Sequence, residues 1–397
     1  MRTLSIANGE LWLHAEGAAS KQIESPFAKE LIERAAQSRR NTGWKHAPRE
    51  EQSGVIPSNS LWGRRSGSEA GPMQVRFLHA CRAADDDSLY YVLSVGDTTG
   101  VFRRHLAEDR EVRLFHRAGW QCEGFAFNAD DRRLFIASRN ADGTAHVEVY
   151  DEDGNRTGAI TDGDCVDASP SLVPGRGKTV VYQSSGVARH AQGGHLVAIG
   201  HACVHMLDYG SGRLDTLLDD RHHDFVAPRM DAQGRLFAIR RPADKPVHQR
   251  AGTALSDTLL MPFRLLKAVF GYLNFFSMVY GKEPLRSSGG PRTPELDQDL
   301  GQLWLHGRMI ELSKDNADPQ HGGFLVPRCW ELVRIDRPGD APHVLARHVA
   351  GFDVDGRGNV VWTNGYDIFT LIDGARCGVA RQQQVASVAV LSRAPSR

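Results

Sequence analysis

Four segments of this chain repeat one pattern, in which an alternating apolar and polar run, a turn rich in Asp and Gly, and a second alternating run follow one another. The four copies begin at Glu123, Asp167, Asp224 and Gly351. Alternation with a period of two predicts strands, and the intervening turn chemistry predicts antiparallel hairpins. The first two copies start about 44 residues apart and the next about 57, close to the length of a four-stranded propeller blade. The pattern therefore predicts an all-β propeller.

Strand-forming runs between the turns predict five four-stranded blades, and the N-terminal strands could make a sixth. Blade four starts at residues 225–240, but the runs that fit its third and fourth strands begin only at Trp330, so an insertion interrupts this blade. The run at 384–391 can close the ring by pairing with residues 3–14, because a radial array of sheets is stable only when its first and last blades meet.

Four regions follow from this blade assignment. They are an N-terminal region of strands, one helix and a linker that packs on the propeller (1–72), the first blades (73–241), a mainly helical insertion (242–328) and the completion of the propeller (329–397). The helix is predicted after Ser25, which can cap it, with Pro26 at its first position and Phe27 on its apolar face.

The repeat resembles that of TolB-like and WD-type propeller proteins. The resemblance lies in an acidic lead-in, a proline, a polar turn and a paired strand, best seen in the twelve residues that begin at Asp167, Asp-Ala-Ser-Pro-Ser-Leu-Val-Pro-Gly-Arg-Gly-Lys. It covers residues 119–240 well and 350–372 more loosely. Such repeats often occur in periplasmic binding proteins or beside a peptidase domain, but the sequence has no Gly-x-Ser-x-Gly nucleophile turn. The resemblance implies a fold and no particular activity.

Overall charge and cysteine content limit the function classes. The 48 basic and 48 acidic residues cancel, which argues against a broad nucleic-acid or anionic-membrane footprint. The first residues lack the apolar core of a secretory signal, so we expect a cytoplasmic protein. The six cysteines form no Cys-x-x-Cys pair and no short Cys/His cluster, so we expect reduced, buried thiols and no cofactor.

The insertion contains the most apolar run of the chain, residues 262–280, which predicts a helix with one narrow polar stripe. Such a helix packs against the propeller, docks a protein partner or second copy, or lies on a membrane surface. The basic, Gly-rich run that follows could bind an anion or be a solvated loop. The candidate ligand- or partner-binding residues are Phe263, Arg264, Lys267, Phe270, Tyr272, Phe275, Phe276, Lys282, Arg286 and Arg292.

Carboxylates at the start of three repeat copies are the candidate catalytic residues. Propeller topology predicts that Glu123, Asp167 and Asp224 lie near one mouth of the central channel, where the insertion also emerges. Two such groups could act as acid and base in glycoside-type chemistry or bind a divalent cation. The alternative is that each acid accepts hydrogen bonds from its own turn. A further candidate metal site is His222, His223 and Asp224, although adjacent residues of a strand point to opposite faces.

The sequence therefore favours a non-catalytic propeller scaffold or ligand-sensing subunit that contacts a protein partner through the channel mouth and the insertion. One alternative is a propeller hydrolase or lyase that acts on a sugar or lactone through Glu123, Asp167 and Asp224. Another is a peripheral membrane adaptor attached through residues 263–280.

Overall fold

The computed structural model describes residues 1–42, 74–189, 196–243, 302–311 and 323–392. The described chain is almost entirely β, with strands that follow one another in sets of four. The N-terminal set holds β1 (Arg2–Ala7), β2 (Glu10–His14) and β3 (Lys21–Ile23), followed by helix α1 (Pro26–Thr42). The next set holds β4 (Val75–Arg82), β5 (Ser88–Val95), β6 (Thr98–His105) and β7 (Arg110–Ala118).

The middle of the chain contributes two further sets. One holds β8 (Cys122–Asn128), β9 (Arg133–Arg139), β10 (Ala145–Asp151) and β11 (Arg156–Ala159). The other holds β12 (Cys165–Leu172), β13 (Thr179–Arg189), β14 (Leu196–Ile199), β15 (Cys203–Asp208) and β16 (Arg213–Leu218). Here β14 lies outside the four-strand order, because it pairs with the last three residues of the long strand β13.

The last third of the chain completes the strand sets. It holds β17 (His223–Met230), β18 (Leu236–Pro242), the hairpin β19 (Gln302–Leu305) and β20 (Arg308–Glu311), then β21 (Glu331–Ile335) and β22 (His343–Arg347). The final strands are β23 (Gly351–Val354), β24 (Val360–Thr363), β25 (Asp367–Ile372), β26 (Ala375–Arg381) and β27 (Val385–Ser392). Neighbouring strands within each set pair antiparallel in chain order.

The strand sets form a closed ring. The first strands of five sets, β4, β8, β12, β17 and β23, contact one another in that order, and β27 contacts both β23 and β4. These inner strands surround a central cavity of about 1960 Å³. The observed pairing thus has the arrangement of a β-propeller.

The two ends of the chain share one sheet. Strand β27 pairs antiparallel with β1, so that Leu4 lies opposite Ala389, and the sheet order is β27, β1, β2, β3. Leu4 and Leu391 are almost completely buried. The sequence prediction that the tail pairs with residues 3–14 is confirmed, and the C-terminal strand takes the innermost position.

The insertion interrupts one sheet where the sequence predicts. Strand β18 pairs directly with β21, and Leu236 lies opposite Ile335 although the chain between them is long. The described parts of the insertion are residues 242–243, the β19–β20 hairpin and residues 323–328. The predicted helix over residues 262–280 lies outside the described residues, and the boundaries of the four regions stay a prediction.

Helix α1 packs on the sheet formed by β4–β7. The Ser25 hydroxyl accepts a hydrogen bond from the Ala28 N–H at 3.2 Å, as the capping prediction requires. Phe27 contacts Phe102, with ring centroids 5.1 Å apart. In the part of the chain that the structure describes, no helix is long and apolar enough to cross a membrane.

A bulge recurs in the inner strands. Gly124, Ser169 and Ala227 have positive φ values of 134°, 51° and 53° at matching points of β8, β12 and β17. The register of each of these strands shifts at this point. A Cβ atom at Gly124 would lie 2.8 Å from the Ser169 Cα, so this close approach of two backbones requires glycine.

Candidate functional site

One end of the central cavity is framed by two hairpins. Strand β14 extends from the sheet of β12, and the β19–β20 hairpin reaches the same end from the insertion. We call this end the hairpin mouth, defined by Val197, Ile199, Leu303, Trp304 and Arg308, all of which line the cavity. The prediction that the insertion emerges beside the repeat carboxylates is therefore confirmed for residues 302–311.

Asp224 anchors the insertion hairpin to the ring. Its carboxylate is buried and accepts hydrogen bonds from the Ala202 N–H at 3.0 Å, the Arg241 Nε at 3.1 Å and the Arg308 Nη2 at 2.9 Å. Arg241 also donates through Nη2 to the His306 carbonyl at 2.8 Å. The side chain therefore joins β17, β18 and the insertion, and its negative charge is matched by two guanidinium groups.

His306 makes a second attachment of the same hairpin. Its Nε2 donates to the Ala350 carbonyl at 3.0 Å. Burial, with the nearby Arg241 charge, lowers the pKa of His306 to about 4. The ring is therefore neutral at pH 7 and acts as a fixed hydrogen-bond donor.

Glu123 lines the cavity but is also held in an ion pair. The Arg139 Nε donates to its Oε1 at 2.6 Å, and both side chains are largely buried. Arg139 also donates to the Gly143 carbonyl at 3.0 Å, which fixes the guanidinium against the β9–β10 turn. The pairing orients Glu123 along its own hairpin.

Asp167 is absent from the cavity wall, which corrects the prediction that all three carboxylates converge there. Counted back from the bulge of each inner strand, Glu123 is one residue before Gly124, Asp167 is two before Ser169, and Asp224 is three before Ala227. Val166 and Ala168, on either side of Asp167, both line the cavity, so the alternation of side chains along β12 turns Asp167 toward the neighbouring sheet. The acids that begin the three repeat copies align in sequence, but they stand at different distances from the bulge.

The three residues of the predicted metal site do not come together. His223 donates through Nδ1 to the Asp220 carboxylate at 2.7 Å, and the His222 N–H donates to the same side chain at 2.9 Å. Asp224 is instead bound by the two arginines. No group of potential metal ligands among the described residues contains His222, His223 or Asp224, so a metal site there stays a prediction.

Polar groups also lie deeper in the cavity. Arg229 donates through Nε to Asp353 at 2.8 Å, and Asp353 accepts the Val390 N–H at 2.8 Å, so one carboxylate links three inner strands. His79 donates through Nε2 to the Cys122 carbonyl at 3.1 Å, and burial lowers its pKa. These hydrogen bonds join neighbouring inner strands and so stabilise the wall of the cavity.

The hairpin mouth exposes two large apolar side chains to the cavity. Val197 and Ile199 are 40% and 41% exposed, although both are large aliphatic side chains. The described residues contain four other large exposed hydrophobic side chains, and none of those four lines the cavity. Leu303 and Trp304 continue the apolar rim on the opposite hairpin.

Two groups of potential metal ligands lie outside the predicted site. They are His146 with Cys165 and Asp167, and His201 with Cys203 and Asp219, and within each group the ligand atoms lie within 4.8 Å of one another. Two members of each group stand two residues apart in sequence, and the third, His146 or Asp219, is brought to them only by the fold. Burial and the nearby Asp167 charge raise the pKa of Cys165 to about 12.

The ten candidate binding residues of the insertion, Phe263 to Arg292, lie outside the described residues. Their roles stay a prediction.

No protein-family model matches the sequence, and no curated protein matches it. Among solved structures, TolB from Acinetobacter baumannii aligns at 9% identity and a TM-score of 0.49, over 98% of this chain and 66% of that one, so the chain spans about two thirds of TolB. A nidogen/laminin complex aligns at 10% identity and a TM-score of 0.49, over 98% and 97%. The tricorn protease aligns at 9% identity and a TM-score of 0.45, over 95% and 33%. The chain thus resembles TolB-like propellers at low identity.

Proposed function

We propose that this protein is a non-catalytic, six-bladed propeller that binds an extended segment of a partner protein at the hairpin mouth. The exposed apolar pair Val197 and Ile199, placed at the rim of a deep cavity, is the observation that carries the proposal. Apolar side chains of this size that stay exposed beside a concavity are typical of protein interaction sites.

The size of the cavity supports a polypeptide ligand. Its volume of about 1960 Å³ exceeds the roughly 300 to 1,000 Å³ of typical small-molecule pockets. The anchored hairpin β19–β20 gives the mouth a fixed shape, because Arg308 binds Asp224 in β17, the His306 carbonyl accepts from Arg241 in β18, and the His306 ring donates to the Ala350 carbonyl just before β23. A pre-organised surface of this kind lowers the entropy cost of binding.

The ion pairs of the carboxylates favour binding over hydrolysis. Glycoside-type catalysis needs two available carboxyl groups, one of them with a raised pKa. Glu123 and Asp224 are each matched by arginine, and Asp167 faces away from the cavity. The sugar or lactone hydrolase therefore has less support. The membrane adaptor and the cytoplasmic location stay predictions.

The proposal is tested by comparing two charge substitutions in the tagged full-length protein. Ile199→Glu places a charge in the apolar rim, whereas Leu214→Glu places one on the outer strand β16, where Leu214 is 54% exposed. Proteins recovered with each variant from cells are quantified by mass spectrometry. We expect a partner recovered equally by the wild type and Leu214→Glu, and at least about tenfold less by Ile199→Glu.

Equal recovery with both variants would contradict the hairpin mouth as the contact surface. A third variant that lacks residues 253–292 measures how much the insertion contributes to partner binding. We expect it to lose the same partner while the far-ultraviolet circular dichroism of the ring is retained.

A further inference from the structure

The strand set β8–β11 contacts the set β12–β16, and this contact brings a histidine, a cysteine and an aspartate together. Strands β10 and β12 pair in parallel at a single position, Ala145 opposite Val166. His146 follows Ala145, while Cys165 and Asp167 flank Val166 and share one face of β12. The pairing of two blades therefore creates the cluster, which is separate from the hairpin mouth.

The distances within this cluster fit a tetrahedral metal ion. The Cys165 Sγ lies 3.3 Å from the Asp167 Oδ2, and the His146 Nδ1 lies 3.8 Å from the same oxygen. Zinc bonds of about 2.0 to 2.3 Å in tetrahedral geometry place neighbouring ligand atoms roughly 3.3 to 3.7 Å apart. Small rotations of the side chains would bring all three donors to bonding distance.

Unsatisfied atoms provide a second, independent observation. Asp167 is only 2% exposed, and its Oδ1 has no hydrogen-bond partner among the described residues. The buried His146 Nδ1 likewise has none. Two buried polar atoms without partners in one cluster are costly, and a shared cation bound by the His146 Nδ1 and by both oxygens of the Asp167 carboxylate would satisfy both.

The second cluster of the same composition does not have this feature. His201 Nε2 and Asp219 Oδ1 already form a hydrogen bond of 2.7 Å, and the Asp219 side chain is 58% exposed. No atom of His201, Cys203 or Asp219 is among the buried unsatisfied atoms of the described residues. This cluster therefore serves as a matched control.

We propose that His146 Nδ1, the Cys165 sulfur and the Asp167 carboxylate bind a zinc-type divalent cation that joins the second and third blades. A thiolate, an imidazole and a carboxylate together form a donor set that zinc prefers to calcium or magnesium. On binding, the Cys165 thiol releases its proton to solvent and the sulfur–metal bond forms without any change of oxidation state. Three protein ligands leave one position for water.

The test is a cobalt titration of the reduced, metal-free full-length protein. Cys329 and Cys377 are exposed, so both are first replaced by serine to remove adventitious thiol binding. Co²⁺ bound by thiolate produces a charge-transfer absorption band, and Zn²⁺ should displace it. We expect Cys165→Ser to abolish the band and to weaken binding by at least about 100-fold, whereas Cys203→Ser should keep both.

His146→Gln provides a variant that keeps the sulfur. We expect it to retain the band but to weaken binding by about 10-fold to 100-fold. Circular dichroism of each variant separates loss of binding from loss of fold. Absence of the band in the parent protein, an unchanged band intensity and ion stoichiometry in Cys165→Ser, or loss of the band in Cys203→Ser alone would overturn the proposal. A parent that binds two ions and loses one in Cys165→Ser would support it.

Discussion

The turn between β17 and β18 offers a sharp stability prediction, because one carboxylate holds it. Asp231 is completely buried, and its Oδ1 accepts the N–H groups of Gln233 at 3.0 Å and Arg235 at 2.9 Å. Its Oδ2 accepts the Arg235 Nε at 2.5 Å, and Arg235 also donates to the Arg357 carbonyl at 3.1 Å. The carboxylate thus fixes the turn and its contact with the adjacent sheet.

Asp231→Ala should destabilise the protein by about 3 kcal/mol. Each backbone hydrogen bond to the charged oxygen contributes about 1 to 1.5 kcal/mol after partial rehydration of the turn. The ion pair adds only about 0.5 kcal/mol, since the Arg235 side chain is 29% exposed. An unfolding entropy of about 2.1 cal/mol/K per residue converts this loss to a fall in Tm of about 4 °C.

Asp231→Asn separates the contribution of the backbone hydrogen bonds from that of the carboxylate charge. The amide oxygen keeps an acceptor for the turn, so we expect a loss of about 1 kcal/mol and a fall of about 1 °C. Thermal and urea unfolding followed by circular dichroism measure both variants. Asp208→Ala, in a more exposed turn of the same kind, is the control and should cost less than Asp231→Ala. An Asn variant as unstable as the Ala variant would refute the reasoning.

Three further predictions concern the ring. Gly124→Ala should cost about 2 to 4 kcal/mol in urea unfolding, because its Cβ would meet the neighbouring backbone, whereas Gly158→Ala, with open space around it, should cost far less. Because the pKa of His306 is lowered to about 4, the unfolded chain binds a proton between pH 6.5 and about 4 that the folded chain does not bind. The free energy of unfolding therefore falls as the pH drops through this range. In unfolding measured as a function of pH, His306→Gln should remove up to about 3 kcal/mol of this fall. Ala389→Asp should cost about 3 to 5 kcal/mol by burying a charge in the closing strand, and Val379→Asp on an exposed outer strand should be nearly neutral in the same assay.

The ring architecture was predictable because its signals are local. Alternation and turn residues within each hairpin predicted the strands, and the break in rhythm between Arg240 and Trp330 located the insertion. Ring closure also followed from sequence, because an unpaired strand at each end of the chain requires a partner. The Ser25 cap is a further local signal that the structure confirms.

The candidate site was less predictable because it depends on register and on contacts between blades. A bulge at Gly124, Ser169 and Ala227 changes which face each preceding side chain takes, so aligned acids separate into cavity-facing and sheet-facing positions. His146 and Cys165 are far apart in sequence, and only the pairing of β10 with β12 brings them together. The exposed rim at Val197 and Ile199 arises because β13 extends beyond its sheet to pair with β14.

The central claim, that a partner polypeptide occupies the hairpin mouth, is tested most directly by site-specific photo-crosslinking in cells. A photoreactive phenylalanine analogue is placed at Ile199 and, in a separate sample, at Leu214. The proposal predicts a discrete crosslinked product with one partner protein at Ile199 and none at Leu214. Crosslinks of equal yield at both positions, or a product at Leu214 alone, would contradict it.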